Sequence, residues 1–481
     1  MWGRYLKTNT IYTIGSVANS AALFLLIPFL VNNLSTADYG AWAIYEILIL
    51  LLNILISAGM DLGLMREYWF LESETDRRIL NGTVLIAVTF WEFLLFGILN
   101  GGYSLISRLP IFSTFHLNSF PRGSLLLVYA ISAAETIFSI FLAIFRIREQ
   151  PVHYVALSVG KLLLFLISAI ALLKMTGSIN GALGGRLLAD LIGIVAASLL
   201  SLRLISLKFE WHKLSRVLNY GLPFILANLS GYVLQNSDRY ILTASSTLTI
   251  VAIYSLVYKL ASSLNVFITG PFATDWAARR YRIALEDQAQ KKYADVLLFY
   301  LFIGSLGMLG IIIISPLAYH FIAPASYWGG LQVLPVLLLA IFIYGLSYPL
   351  NVGLIIKDKT PLLAVIGIVS AIFCLGVEVI LIPRFGMAGA AWSTFFSYLV
   401  WTVGITIFSL KTYPIPYQWG KILGVCGAAI IGYLGIFWIN QSASSLIDSI
   451  KAMLLSLTWL IIVYGITGFT LIRRPAAKLA R

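Results

Sequence analysis

Charge is scarce in this sequence: Asp, Glu, Lys and Arg make up 11% of its 481 residues while 60% are hydrophobic, where an ordinary soluble domain carries roughly 25% and 45–50%. That balance excludes a water-soluble globular protein. Cysteine is nearly absent, and Cys374 and Cys426 both sit in apolar stretches, so no disulfide framework or cysteine-based zinc site can be built. The four histidines, His116, His153, His212 and His320, are scattered, and no GxxxxGK[ST] loop occurs. Neither a metal cluster nor a nucleotide-driven motor is therefore expected, and no cofactor is called for. No Pro/Ser-rich linker, low-complexity tract or charge block breaks the chain into soluble domains.

What is present is one long apolar run after another. A hydrocarbon core about 30 Å thick takes roughly 20 apolar residues per helix. Windows of that size occur at about 9–33, 40–65, 79–105, 123–145, 153–174, 180–202, 220–243, 249–272, 294–316, 330–355, 361–383, 386–410, 420–440 and 450–472. The expected fold is therefore all-α and integral to a membrane, with about 14 transmembrane helices and short connections. The first run is too long for a signal-peptide core and has no small-residue cleavage site, so it is expected to remain as a span.

The basic excess, 33 Lys and Arg against 20 Asp and Glu for a net charge of +13, does not point to nucleic acid, because it falls on one side of the helix list. Counted over alternate connections, one side that includes both termini holds 24 of the basic residues and the other only 5, Arg108, Arg122, Lys174, Arg384 and Lys451. Positive loops stay in the cytoplasm and meet anionic lipid, which predicts an even number of spans with both termini cytoplasmic.

Internal repetition is weak but consistent. Gly181 and Ala182, entering the sixth span, match Gly389 and Ala390, entering the twelfth, at an offset of 208; Trp42 of the second matches Tyr254 of the eighth at 212. Two six-helix halves would give this spacing. The predicted bundles are 1–206 and 207–410, with two further helices and a tail in 411–481.

Four segments carry a family likeness: IPFLVNNLSTADYGAWAIYEIL (27–48), GMDLGLMREYWF (59–70), NYGLPFILANLSGYVLQNSDRYIL (219–242) and VAIYSLVYKLASSLNVFITGPFATDWAARRY (251–281). In these, and in order along the whole chain, the sequence resembles the polysaccharide transporter branch of the multidrug, oligosaccharidyl-lipid and polysaccharide exporter superfamily, the group of Wzx-type O-antigen flippases. The resemblance implies two six-helix bundles in a V around a central cavity. It also implies movement of a lipid-linked sugar chain across the bacterial inner membrane by alternating access.

Charged groups within spans cost about 2.5–3.5 kcal/mol on insertion scales and normally face a bundle interior or wet cavity. A polyprenyl-pyrophosphate head cannot cross hydrocarbon unless protein or water replaces its hydration, and Arg forks and Lys point charges suit phosphate. Lys259, Arg239, Arg186 and Lys161 are the expected substrate-binding cations of a basic cavity, with Lys259, following Tyr258 near mid-span, the first choice. Against that, Arg186 and Asp190 are four apart on one helix face and can close an ion pair, and of the neighbours Asp238 and Arg239 one can snorkel to the interface. Glu46, Glu92, Glu135, Asp190 and Glu378 are the candidates for ion coupling, with pairing to neighbouring helices as the plain alternative. Asp61 and Arg66, beside Glu67, and Asp275 and Arg279, beside Arg280, lie near span ends as gate candidates or headgroup anchors. Prolines 28, 223, 271, 316, 335 and 349 lie in or near span ends, as kinks or packing features.

The reading that joins these points is a flippase with no catalytic residues, whose partners are a lipid-linked oligosaccharide, the phospholipid bilayer, and the polymerase and glycosyltransferases that use the same sugar chain. Two rivals compete with it. A multidrug or organic-cation antiporter of the same superfamily would favour an acidic, aromatic cavity, and a polysaccharide polymerase would need a long outside loop for its chemistry.

Overall fold

The structure, a computed structural model, describes residues 26–101, 120–440 and 446–473. Every regular element among them is a helix: α1 (Thr36–Ser57), α2 (Met60–Glu67), α3 (Glu74–Gly101), α4 (Arg122–Ile147), α5 (Pro151–Thr176), α6 (Ile179–Ser201), α7 (Trp211–Ser245), α8 (Leu248–Leu264), α9 (Gly270–Ala284), α10 (Ala289–Ile322), α11 (Leu334–Leu350), α12 (Val352–Ile356), α13 (Thr360–Thr412), α14 (Trp419–Asn440) and α15 (Leu446–Arg473), with short one- and two-turn pieces between some of them. This follows from the solvent. In hydrocarbon each backbone N–H and C=O must be satisfied within its own segment, and the α-helix does that.

Twelve helical segments among the described residues are long and apolar enough to cross a membrane, so the protein is a multi-pass, all-helical membrane protein. The expected count of about 14 differs for two reasons. The predicted spans 361–383 and 386–410 are two helices within the range given for α13 that meet at a kink at Gly386, where φ is 54°, and they count as one of the twelve segments. The first predicted span, 9–33, lies mostly outside the described residues, of which 26–33 are helical.

Local signals set the ends. Ser35 caps α1 by accepting from the Asp38 amide at 3.1 Å. Pro151 opens α5, where its missing N–H costs nothing, and Gly177 closes that helix in the left-handed region. Ser178 then caps α6 by accepting from the Asn180 amide at 3.1 Å.

Two positive-φ glycines, Gly177 in the α5–α6 turn and Gly386 in α13, lie 209 residues apart, close to the sequence repeat of 208 to 212. Each is followed by a glycine pressed on the preceding helix: a Cβ on Gly181 would meet the Leu172 carbonyl oxygen at 2.5 Å, and one on Gly389 the Leu381 carbonyl oxygen at 2.2 Å. The repeat in sequence is thus a repeat of tight helix hairpins. A second pair of breaks matches too. The α1–α2 junction at Ala58 and Gly59, with φ 45° and 70°, corresponds to the π-helical turn Asn265–Thr269 between α8 and α9. Trp42 and Tyr254, the aligned aromatics, are both fully buried.

The chain divides into two compact units, Met1–Ala252 and Ile253–Arg481. In the first, α4, α5 and α6 pack together, α1 lies on α4, and α2 lies on α7. The α6–α7 connection is clasped to α3: Asn81 donates to the Leu204 carbonyl at 2.8 Å, the Ser206 amide to the Arg78 carbonyl at 2.9 Å, and Lys213 pairs with Asp76 at 2.8 Å. In the second unit, Thr402 of α13 donates to the Ile343 carbonyl of α11 at 2.9 Å, and Trp276 of α9 to the Tyr348 carbonyl at 2.9 Å. There α14 and α15 pack on α10, with Tyr464 donating to Ser305 at 2.8 Å.

Candidate functional site

The first unit contains a cavity of about 990 Å³, at the upper end of the ~300–1,000 Å³ range of small-molecule sites. Helical periodicity builds its walls. On α1, Glu46, Leu50, Asn53 and Ser57 recur every three to four residues and share one face, and Asp61 continues the wall beyond the break. Glu135, Phe138, Ser139 and Leu142 of α4, Ser158, Lys161 and Phe165 of α5, Arg186 of α6, and Asn228, Gly231, Tyr232, Gln235 and Asn236 of α7 complete it.

Gly59 sets the angle at which α1 stops and α2 begins. It takes φ 70°, and a Cβ there would lie 2.2 Å from the Gly221 carbonyl oxygen of α7; the reciprocal Cβ on Gly221 would lie 2.3 Å from the Gly59 oxygen. Two backbones meet here without side chains between them. Tyr232 holds the other end of the α1–α7 contact by donating to the Ile47 carbonyl at 2.8 Å. Interrupted helices at corresponding positions of the two halves of a transporter are where polar sites are commonly built.

Five charges from four helices join in one network. Arg186 donates through Nε and Nη2 to Glu135 Oε1, at 3.0 and 2.8 Å, and through Nη1 to Glu46. Asn53 donates to the other Glu135 oxygen at 3.1 Å. Lys161 lies 2.5 Å from Asp190 Oδ1 and 3.7 Å from Glu135 Oε1, with the Phe138 ring centroid 4.9 Å away. Asp190 is fully buried, and the Arg186 and Lys161 side chains are 15% and 20% exposed.

The expected local pair of Arg186 with Asp190 is not the one formed. The planar fork of Arg186 reaches two carboxylates on other helices, and Asp190 turns to Lys161. Nor is the hollow basic. On its wall the carboxyls of Glu46, Asp61 and Glu135 outnumber the cations Arg186 and Lys161, and Asp190, buried behind it, adds a further carboxyl to the network. The expectation of a positively lined cavity is corrected for this unit, because each cation that entered the membrane brought its counter-charge with it.

The other predicted residues lie elsewhere. Arg239 is buried on α7 just past the cavity wall, donating to the Gln235 carbonyl at 2.9 Å and lying 3.4 Å from Asp238. Glu92 is buried on α3, where its backbone carbonyl accepts from Tyr129, and it does not line the cavity. Lys259, Asp275, Arg279 and Glu378 belong to the second unit. There Lys259 is half-buried beside Tyr258, which contacts Tyr398 at 3.3 Å; Glu378 is buried and accepts from Cys374; Arg279 and Asp275 form an exposed pair at 3.1 Å. Arg66 pairs with Glu67 at 3.1 Å at the end of α2. Asn53, Asn228, Gln235 and Asn236 were not singled out by charge. The signal that marks them is a polar stripe at helical spacing within an apolar span. Among the described residues no group of His, Cys, Asp and Glu is placed to hold a metal ion.

The model of the family described as "Polysaccharide biosynthesis protein" matches residues 6–275, more than half of the chain. No curated protein matches the sequence. Among solved structures, the lipid II flippase MurJ in an inward closed conformation superposes with a TM-score of 0.71 at 15% identity, over 97% of this chain and 100% of that one. A point mutant of the Vibrio cholerae MATE transporter VcmN gives 0.58 at 13% identity over 85% and 98% of the two chains. An inward-facing multidrug resistance MATE family transporter of the MOP superfamily gives 0.56 at 15% over 86% and 95%. At these identities the likeness is one of fold.

Proposed function

This chain belongs to the polysaccharide biosynthesis protein family, and from that premise we propose that it is a flippase, moving a polyprenyl-pyrophosphate-linked oligosaccharide across the bacterial inner membrane by alternating access. The observation that carries the proposal is the polar cavity of the first unit. A hollow lined by Glu46, Asn53, Glu135, Lys161, Arg186, Asn228 and Gln235 inside apolar helices does nothing for folding that apolar packing would not do better. It suits a ligand whose polar surface must be kept solvated on the way across.

Its chemistry fits sugars. Carboxylates accept from hydroxyls and side-chain amides both accept from and donate to them, while Phe138, Phe165 and Tyr232 offer apolar faces to sugar rings. Arg239 and Lys259 stand as further substrate-binding candidates outside this cavity, while the pyrophosphate is assigned to Arg186 and Lys161. For Arg186 and Lys161 to turn to it, Glu46, Glu135 and Asp190 must release them, and protonation of those carboxylates couples substrate entry to proton movement. Glu92 and Glu378 stand as further coupling candidates outside this cavity. Asp61, Arg66, Asp275 and Arg279 are assigned to gating at the membrane face. Fourteen spans, arranged as bundles 1–206 and 207–410 plus the pair in 411–481, with both termini cytoplasmic, complete the proposal; the polymerase and glycosyltransferases acting on the same sugar chain are its functional partners.

One observation favours a second reading. The excess of carboxylates over cations in the cavity is the lining that an organic-cation antiporter would use. Reconstitution into vesicles with a labelled polyprenyl-pyrophosphate oligosaccharide separates the two. The flippase reading expects the label to become protected from an external reagent, protection to collapse when the proton gradient is dissipated, and the Glu135→Gln variant to lose that response. Movement of small organic cations alone would give the antiporter reading instead.

A further inference from the structure

A second polar pocket lies where α2 ends and α7 begins. It has a volume of about 330 Å³ and is lined by Arg66, Glu67, Phe70, Arg216, Asn219 and Tyr220. Glu67, whose side chain is only 6% exposed, accepts from Arg66 at 3.1 Å and lies 2.6 Å from Arg216 Nη2. One carboxylate between two guanidinium groups leaves a surplus positive charge. The two arginine side chains remain 47% and 43% exposed, so donors that Glu67 does not take face the pocket. The Arg66 guanidinium lies 4.6 Å from the Tyr220 ring centroid and 5.3 Å from that of Phe70, which restrains its plane. Trp69 and Phe70 beside it are 61% and 63% exposed, as aromatic residues at headgroup depth are.

Two planar forks held apart by a shared carboxylate, one of them stacked on rings and an amide beside them, present the parallel donors that phosphate oxygens accept from. We propose that this pocket binds the phosphate of a membrane lipid, as a second anion site separate from the cavity of Arg186 and Lys161. Two lipids carry that chemistry: a bilayer phospholipid headgroup, and the diphosphate of the lipid-linked substrate, the latter resting on the flippase reading.

The test uses the purified full-length protein in phosphatidylcholine nanodiscs. Binding of inorganic diphosphate and of farnesyl diphosphate is measured at equilibrium, and retention of phosphatidylglycerol by native mass spectrometry. Arg66→Gln with Arg216→Gln is expected to weaken binding by about tenfold or more, the loss of charge-assisted hydrogen bonds. Glu67→Gln, which removes the neutralising charge and keeps both arginines, is expected to tighten it, and decides the matter alone if the double variant does not fold. Diphosphate binding without phosphatidylglycerol retention supports the substrate as source, and retention alone supports the headgroup. A wild type that takes none of the three probes, or affinities within about twofold of wild type in both variants, overturns the proposal. Transport is scored separately in vesicles, so a protein that binds phosphate here but flips nothing refutes the flippase reading and leaves this one standing.

Discussion

Replacing Arg186 by Gln is expected to abolish transport and to lower the melting temperature of the purified protein more than any other charge substitution in the first unit. The Arg186 side chain is 15% exposed and serves Glu135 and Glu46 together. Without it those carboxylates lose their shared counter-charge, and breaking a buried pair by removing one partner costs about 3–5 kcal/mol. The sign of the next change distinguishes this from generic damage. Adding Glu135→Gln to Arg186→Gln should restore part of the lost stability, by about 0.5–3 kcal/mol in the coupling term of a double-mutant cycle, but not transport. Arg186→Lys keeps the charge and loses the fork, so it should melt near wild type and still transport poorly. Thermal unfolding in detergent beside vesicle uptake reads both effects, and a single variant as active as wild type would remove Arg186 from the site.

The second large effect is expected at Gly59, which carries no chemistry at all. Gly59→Val places a β-branched side chain at φ 70° with its Cβ 2.2 Å from a carbonyl oxygen of α7. The left-handed conformation alone costs about 1–2 kcal/mol, and the clash is with backbone that cannot rotate away. Folded protein recovered by size-exclusion chromatography should fall to a small fraction of wild type, with Gly221→Ala failing in the same way because the contact is mutual. Gly231→Ala, on the same helix α7 with nothing within 4 Å of its Cβ position, is expected to be recovered and to melt as wild type. Equal recovery of the Gly59 and Gly231 variants would show that the α1–α2 break is not fixed by this backbone contact.

These two residues mark what the sequence made legible and what it hid. Spans could be placed because twenty apolar residues in a row leave a signal that depends on composition alone. The duplication showed itself at Gly181 and Gly389, since a helix hairpin tolerates only the smallest residue at its tightest contact. The break at Ala58 and Gly59 was invisible because the window from 40 to 65 is apolar on average despite Glu46, Asn53 and Asp61, and hydropathy does not record a positive φ. By contrast the boundary between 361–383 and 386–410 was legible, since Arg384 and Gly386 interrupt the apolar run, and two helices meet there at a kink.

In the site, charge within apolar spans was enough to single out Lys161, Arg186, Glu46, Glu135 and Asp190, and the structure brings all five together. Their partners were not legible. Spacing along one helix suggested Arg186 with Asp190, but a pair within a helix competes with partners on neighbouring helices. The two-donor reach from Arg186 to Glu135 prevailed, leaving Asp190 to Lys161. The acidic balance of the hollow followed from the same cause, since which carboxylates share a wall is decided by helix packing. Asn53 and Gln235 were passed over because amides carry no charge, although both line the cavity.

The account rests on the claim that the polar head of the substrate occupies the hollow of the first unit, and photo-crosslinking tests that most directly. A photoreactive residue at position 235, which lines the cavity, is compared with one at position 199, where Leu199 is 64% exposed on α6, in vesicles holding a sugar-labelled lipid-linked oligosaccharide. The account predicts a labelled adduct at position 235 that competes with unlabelled substrate, and none at 199. Labelling at 199 with none at 235 would contradict it.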